Sequence, residues 1–155
     1  MRAVKRWRYY CDHCKKSGMS RFHMGNHEKS CTMNPARECK LCVWLSGGSP
    51  TTLPELLAVL PDPAQFVIKH PPENLGFGLG DIPGYDSTDD DAMRLAAHAV
   101  LPKLREMTEN CPVCILAALR QKGIPVPVVT DFNFTSEMKL AQAAMNNVRR
   151  ENDPY

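Results

Sequence analysis

The chain has 155 residues, 43% apolar and 23% charged, which suits one globular domain or two small ones and excludes a disordered or fibrous protein. Its net charge of +2 is uneven: residues 1 to 40 hold ten Lys/Arg against three Asp/Glu, and the remainder holds nine against fourteen. No apolar run reaches the roughly 18 residues of a membrane span, and "MRAVKRWRYYC" arrives at a cysteine before an apolar leader could form. A soluble, non-exported, cytoplasmic protein with no membrane partner is therefore expected, in which a basic head meets any polyanion and a mildly acidic body does not.

In chain order, the basic arm "RAVKRWR" leads into Cys11-x2-Cys14-x12-His27-x3-Cys31. Two cysteines in a knuckle, a spacer long enough for a short hairpin and a helix turn, and two ligands four residues apart on one helix face are the requirements of a tetrahedral zinc site. Residues 9 to 31 resemble a ββα zinc finger of the two-Cys, two-His type, in the variant whose last ligand is cysteine. The resemblance implies core positions at Tyr9 and Met24, and Gly18 falls where the family usually has an aromatic residue, a place that Met19 or Phe22 could fill. It further implies that Ser20, His23 and Asn26 occupy the helix positions that face bases, Asn26 being able to read adenine. Arg2, Lys5, Arg6, Arg8, Lys15, Lys16 and Arg21 would reach phosphates, and Trp7 and Tyr10 could stack on unpaired bases.

Asn34-Pro35 is a turn signal and marks a boundary between a finger, 1–34, and a second domain, 35–155. After a second knuckle at Cys39 and Cys42, "SGGSPTT" (46–52) reads as a loop, and Thr52 with Glu55 forms a capping box for a short helix carrying Leu53, Leu56, Leu57 and Leu60. Residues 70–88 are rich in Gly and Pro and predict a surface loop. Asp89, Asp90 and Asp91 open a helix with a stripe of Ala92, Leu95, Ala96, Ala99 and Val100, which Pro102 kinks or restarts. Another helix follows Cys111 and stops at Gly123; "IPVPVVT" (124–130) is extended; a last helix, about 136–150, carries Met138, Ala141, Met145 and Val148, with Arg149 and Arg150 at its end. The predicted class is α+β, mainly α: a zinc-stabilised ββα finger followed by a helical domain clipped by a second zinc site.

That second site follows from counting. Seven cysteines sit at 11, 14, 31, 39, 42, 111 and 114, an odd number that argues against a disulfide framework. With Cys11, Cys14, His27 and Cys31 assigned, Cys39, Cys42, Cys111 and Cys114 remain, two knuckles that make one closed four-thiolate zinc site and tie together a loop of about seventy residues. Two Zn2+ per chain are expected. A cross-brace, in which the ligand pairs alternate between the sites, stays open at this point. Cys111-Pro112-Val113-Cys114 also resembles the glutaredoxin signature, but a helical segment precedes it and only 41 residues follow, too few for that topology.

No catalytic residues are expected. A Gly-rich phosphate loop and a His-Glu-x-x-His motif are absent, and a nuclease of the HNH kind would need a His-rich strand between its knuckles where "FVIKHPPENLGF" offers only His70. His98 reads as a helix-packing residue and His13 as a surface residue or phosphate contact. The leading expectation is a non-enzymatic nucleic-acid-binding module, for DNA or RNA, with a helical body that docks a partner or dimerises. The alternative is a protein-interaction or assembly module in which the finger, the Met-rich last helix and "NLGFGLGDIPGY" contact protein. The compact finger followed directly by "CTMNPARECKLC" is similar to small zinc-finger proteins encoded by bacteriophages, which would place the chain in a host cytoplasm.

Overall fold

A computed structural model describes residues 7–74 and 81–152. The chain is mainly helical, with six α-helices and three two-stranded antiparallel sheets among the described residues. Arg2, Lys5 and Arg6 of the arm and part of the "NLGFGLGDIPGY" segment lie outside those residues, and Val148, Arg149 and Arg150 lie outside the described side chains.

The finger is a hairpin and a helix. Strand β1 (Tyr9–Tyr10) pairs with β2 (Ser17–Gly18), Tyr9 opposite Gly18 and Tyr10 opposite Ser17. Helix α1 (Arg21–Ser30) starts because the Ser20 hydroxyl accepts the His23 N–H at 3.3 Å, satisfying one of the unpaired donors of a first turn. Met24 is buried between Cys11 and Cys31. The other expected core residues are not: Tyr9 is 37%, Met19 64% and Phe22 73% exposed. Gly18 explains the difference, since a Cβ there would lie 3.1 Å from the Met24 sulfur. Met24, from α1, lies against Gly18 and fills the space where Met19 or Phe22 was expected.

Beyond the Asn34-Pro35 turn, which the Asn34 side chain closes by accepting the Ala36 N–H at 2.9 Å, a short helix α2 (Lys40–Ser46) was not foreseen. It begins at the Cys39 knuckle and ends at Gly47. Helix α3 (Leu53–Val59) carries the expected box: Glu55 Oε2 accepts the Thr52 N–H at 2.8 Å and its hydroxyl at 2.7 Å, while Leu56 and Leu60 turn inward.

The described part of residues 70–88 corrects the sequence reading. In place of a loop, β3 (Val67–His70) pairs with β6 (Tyr85–Thr88), and β4 (Glu73–Asn74) pairs with β5 (Asp81–Ile82). Pro71, Pro72 and Pro83 fall between the paired segments, where no ladder N–H is required of them.

Helix α4 (Asp90–Met107) is capped by Asp89, whose carboxylate accepts the Ala92 N–H at 2.9 Å, and runs on through Pro102 as one element. Its buried stripe is Met93, Ala97, Leu101 and Leu104, one position along from the expected one, and Leu95 is 66% exposed. The larger side chains decide: burying Met93, Leu101 and Leu104 removes more apolar area than burying a stripe of three alanines with Leu95 and Val100. A left-handed pair, Glu109 and Asn110, then turns the chain into α5 (Pro112–Lys122). Gly123, at φ +81, ends α5 as expected. Residues 126–128 form a 3-10 turn where an extended segment was expected, and α6 (Phe134–Asn152) lays Met138, Ala141 and Met145 on the core. Helix α5 is buried on nearly every side, from Cys114 through Leu119, and packs between α3 and α6. An all-round apolar helix of this kind is the centre of a core. Its first turn carries two metal-ligand candidates.

Candidate metal centres and the basic face of the finger

Cys11, Cys14, His27 and Cys31 bring their ligand atoms within 4.8 Å of one another, and so do Cys39, Cys42, Cys111 and Cys114. The grouping is the sequential one and not the cross-brace. All seven cysteines are free thiols.

In the finger, the β1–β2 hairpin presents the knuckle, and the last turn of α1 presents His27 with Cys31 just beyond it. His27 Nε2 lies 3.3 Å from Cys14 Sγ. Sulfur and nitrogen on one tetrahedral ion, at about 2.3 and 2.0 Å, would stand about 3.5 Å apart. The Asp12 N–H donates to Glu28 Oε1 at 3.0 Å and pins the knuckle to the helix. Burial lowers the His27 pKa, keeping the ring neutral and its lone pair free for a metal. The Lys16 backbone N–H lowers the Cys14 pKa, whereas burial raises that of Cys31.

The second quartet is deeper, with all four cysteines buried. Cys39 and Cys42 flank the start of α2, and Cys111 and Cys114 the start of α5. Cys39 Sγ lies 3.6 Å from Cys111 Sγ, and Cys42 Sγ 3.5 Å from Cys114 Sγ. Tetrahedral coordination at about 2.3 Å would separate two sulfurs by about 3.8 Å, so the cage has the right size. Hydrogen bonds from Cys111, then Cys114 and Cys42, push the Cys39 thiol down, and contacts with Cys111 and Cys114 push Cys42 up. Cys111 is raised mainly through Cys114, and Cys114 is lowered to about 7 mainly through Cys111. Four crowded thiols share few negative charges among themselves; a divalent cation is what allows all four to ionise. Both donor sets, soft sulfur with at most one imidazole, can each hold a metal ion.

Of the residues expected to meet nucleic acid, Arg8, Lys15, Lys16, Arg21 and His23 are exposed on the finger. Asn26 is half-buried, and the Ser20 hydroxyl oxygen is engaged in capping α1. Trp7, at 78%, and Tyr10, at 64%, are exposed beside them.

The two histidines weighed as catalytic have defined partners. His98 places Nδ1 3.0 Å from Asp131 and Nε2 3.2 Å from the Thr130 hydroxyl, so two neighbouring residues of one turn hold both ring nitrogens and fasten α4 to the segment before α6. His70 bonds Ser87 across β3–β6 at 2.7 Å and stacks on Tyr85. Sequence reasoning missed the residues that seat the finger on the body: Gln121 Nε2 donates to the carbonyls of Thr32 and Asn34 at 2.8 and 2.9 Å, and Arg120 donates to the Thr32 hydroxyl at 3.0 Å. Polar residues at the end of a buried helix are the only signal they leave.

Compared with protein-family models, with curated proteins and with solved structures, the chain finds no match.

Proposed function

We propose that the protein is a non-enzymatic, two-zinc nucleic-acid-binding module of the cytoplasm, its finger meeting the polyanion and its helical body docking a partner. Zinc is favoured because one quartet offers three thiolates and an imidazole and the other four thiolates, and four protein ligands leave no open position for water or substrate. Both centres are then structural. The observation that carries nucleic-acid binding is the coincidence on one small finger of exposed Arg8, Lys15, Lys16 and Arg21 with exposed Trp7 and Tyr10. Cations supply phosphate contacts and the aromatic rings stack on bases.

Binding of labelled DNA and RNA at rising salt tests the reading. The logarithm of affinity should fall linearly with the logarithm of salt, and replacing Arg2, Lys5, Arg6 and Arg8 by Gln should flatten the slope and weaken binding. Affinity that is absent at low salt, or indifferent to those four charges, would reject it.

One observation favours an assembly module instead. Helix α2 exposes Val43, Trp44 and Leu45, and Leu45 with Leu140 and Ala144 lines an open groove of about 460 Å³ between α2 and α6. In that reading Trp44→Ser and Leu140→Ser abolish partner capture and leave nucleic-acid affinity unchanged.

A further inference from the structure

The segment joining the two quartets holds a cation without an ordinary counter-ion. Arg37 follows the Asn34 turn, its N–H donating to the Asn34 carbonyl at 3.2 Å, and Glu38 N–H returns to the Lys29 carbonyl at 2.8 Å. The Arg37 Nε and Nη2 atoms are buried and have no hydrogen-bond partner. Its Nη1 points at Cys114 Sγ, 3.8 Å away. None of the ion pairs among the described residues, Arg94–Asp91, His98–Asp131 and Arg105–Glu137, includes it. A guanidinium does not lose its proton inside a protein, so burying it without an anion is strongly unfavourable.

The anion is supplied by the sulfurs. Four thiolates around one divalent ion leave an excess of negative charge, and Cys114 is the sulfur that meets donors from outside the quartet. The Ser49 hydroxyl also lies 3.7 Å from Cys114 Sγ, but its one proton goes to the Thr51 carbonyl at 3.1 Å, which leaves Arg37 as the donor to that sulfur. We infer that Arg37 is the counter-cation of the four-cysteine centre: it donates to the Cys114 thiolate, offsets the excess charge and retards loss of the metal. The inference rests on the reading that these four cysteines hold a metal. Arg37 is a positioning residue, reaching the body's centre from the chain that leaves the finger.

The test uses the full chain carrying both ions, with Arg37→Gln, Arg37→Lys and Ser49→Ala variants checked for two metals by native mass spectrometry. Zinc release into excess chromogenic chelator is followed with time, and cysteines that become alkylated are mapped by peptide mass. Arg37→Gln should release one of its two ions about 10- to 100-fold faster, with Cys39, Cys42, Cys111 and Cys114 alkylated together and the finger's ion unaffected. Ser49→Ala, which removes a hydroxyl engaged with the Thr51 carbonyl, should leave the rate near that of wild type, and Arg37→Lys, which keeps the charge but not the fork, should recover part of the loss. In cobalt-substituted protein the sulfur-to-metal charge-transfer band should shift in Arg37→Gln.

Equal release from Arg37→Gln and wild type would overturn the proposal, as would Arg37→Lys behaving like Arg37→Gln, which would make packing and not charge the cause. If Arg37→Gln does not load, Arg37→Lys decides, and release from it no faster than from wild type counts against the proposal. Wild-type protein that holds an ion in the finger and none at the four cysteines would instead remove the underlying reading.

Discussion

The finger and the body use the same ligand chemistry for different structural ends. In the finger the four ligands lie between residues 11 and 31, and the buried apolar cluster is Met24 with Cys11 and Cys31. In the body the ligand pairs are 72 residues apart in sequence and sit on a continuous core that includes Leu56, Leu60, Met93, Leu101, Leu104, Ile115 and Leu119. A metal held in the finger would replace a core, whereas a metal held in the body would fasten one built from other side chains.

The finger should therefore give the largest response. Cys31→Ser removes a ligand from a unit with almost nothing else to bury, and structural zinc contributes about 10–16 kcal/mol of apparent folding free energy in domains of this kind. Amide protection and chemical-shift dispersion across residues 9–31 should vanish, with the body's signals in place. A finger that stays ordered in chelator would contradict the comparison at its root.

Acid should reach the same end state by another route. His27 ligates only when neutral, and burial holds its folded-state pKa below the ordinary 6.5. The unfolded finger thus takes up a proton more readily than the folded one, so this contribution is complete above about pH 6.5 and is lost as pH falls through the folded value. His27 and Cys14 are half-buried, whereas all four sulfurs of the body are buried. Native mass spectra on descending pH should show the finger's ion leaving first; one shared midpoint for both ions would remove the distinction.

Cys111→Ser probes the body. Opening a closed loop of 72 residues releases about 4 kcal/mol of chain entropy to the unfolded state, enough to lower the melting temperature sharply without dissolving the helices. Far-ultraviolet circular dichroism should stay largely helical at 20 °C, while hydrogen exchange accelerates around α2 and the start of α5. Complete unfolding at that temperature would show that the body depends on its metal as the finger does.

The same contrast decides what could be read in advance. Ligand spacing is local arithmetic, so both quartets, the α5 boundaries at Pro112 and Gly123, and the Thr52–Glu55 box were legible. Which face of α4 turns inward depends on partners distant in sequence, and the stripe through Ala92, Leu95, Ala96, Ala99 and Val100 misled where Met93, Leu101 and Leu104 pack. The β3–β6 ladder was hidden by prolines that proved to lie between its paired segments. Arg37 left no sequence signal, because its partner is a sulfur 77 residues away.

The smallest effect belongs to the turn that aims Cys111 and Cys114 at their partners. Glu109 and Asn110 adopt φ of 49° and 59°, left-handed values that cost an ordinary residue about 1 kcal/mol and glycine almost nothing. The Glu109 side chain is exposed, and its N–H bond to the Glu106 carbonyl at 3.2 Å survives any substitution. Glu109→Gly should raise the body's melting temperature by about 2 °C, part of the gain being offset by the greater freedom of glycine in the unfolded chain. Gly123→Ala, at φ +81 with nothing within 4 Å of its would-be Cβ, should lower it by a similar amount for the converse reason. Neither change should alter the finger, where no described residue has a positive φ, so a shift in the rate of finger metal release would mean the two units share one folding transition.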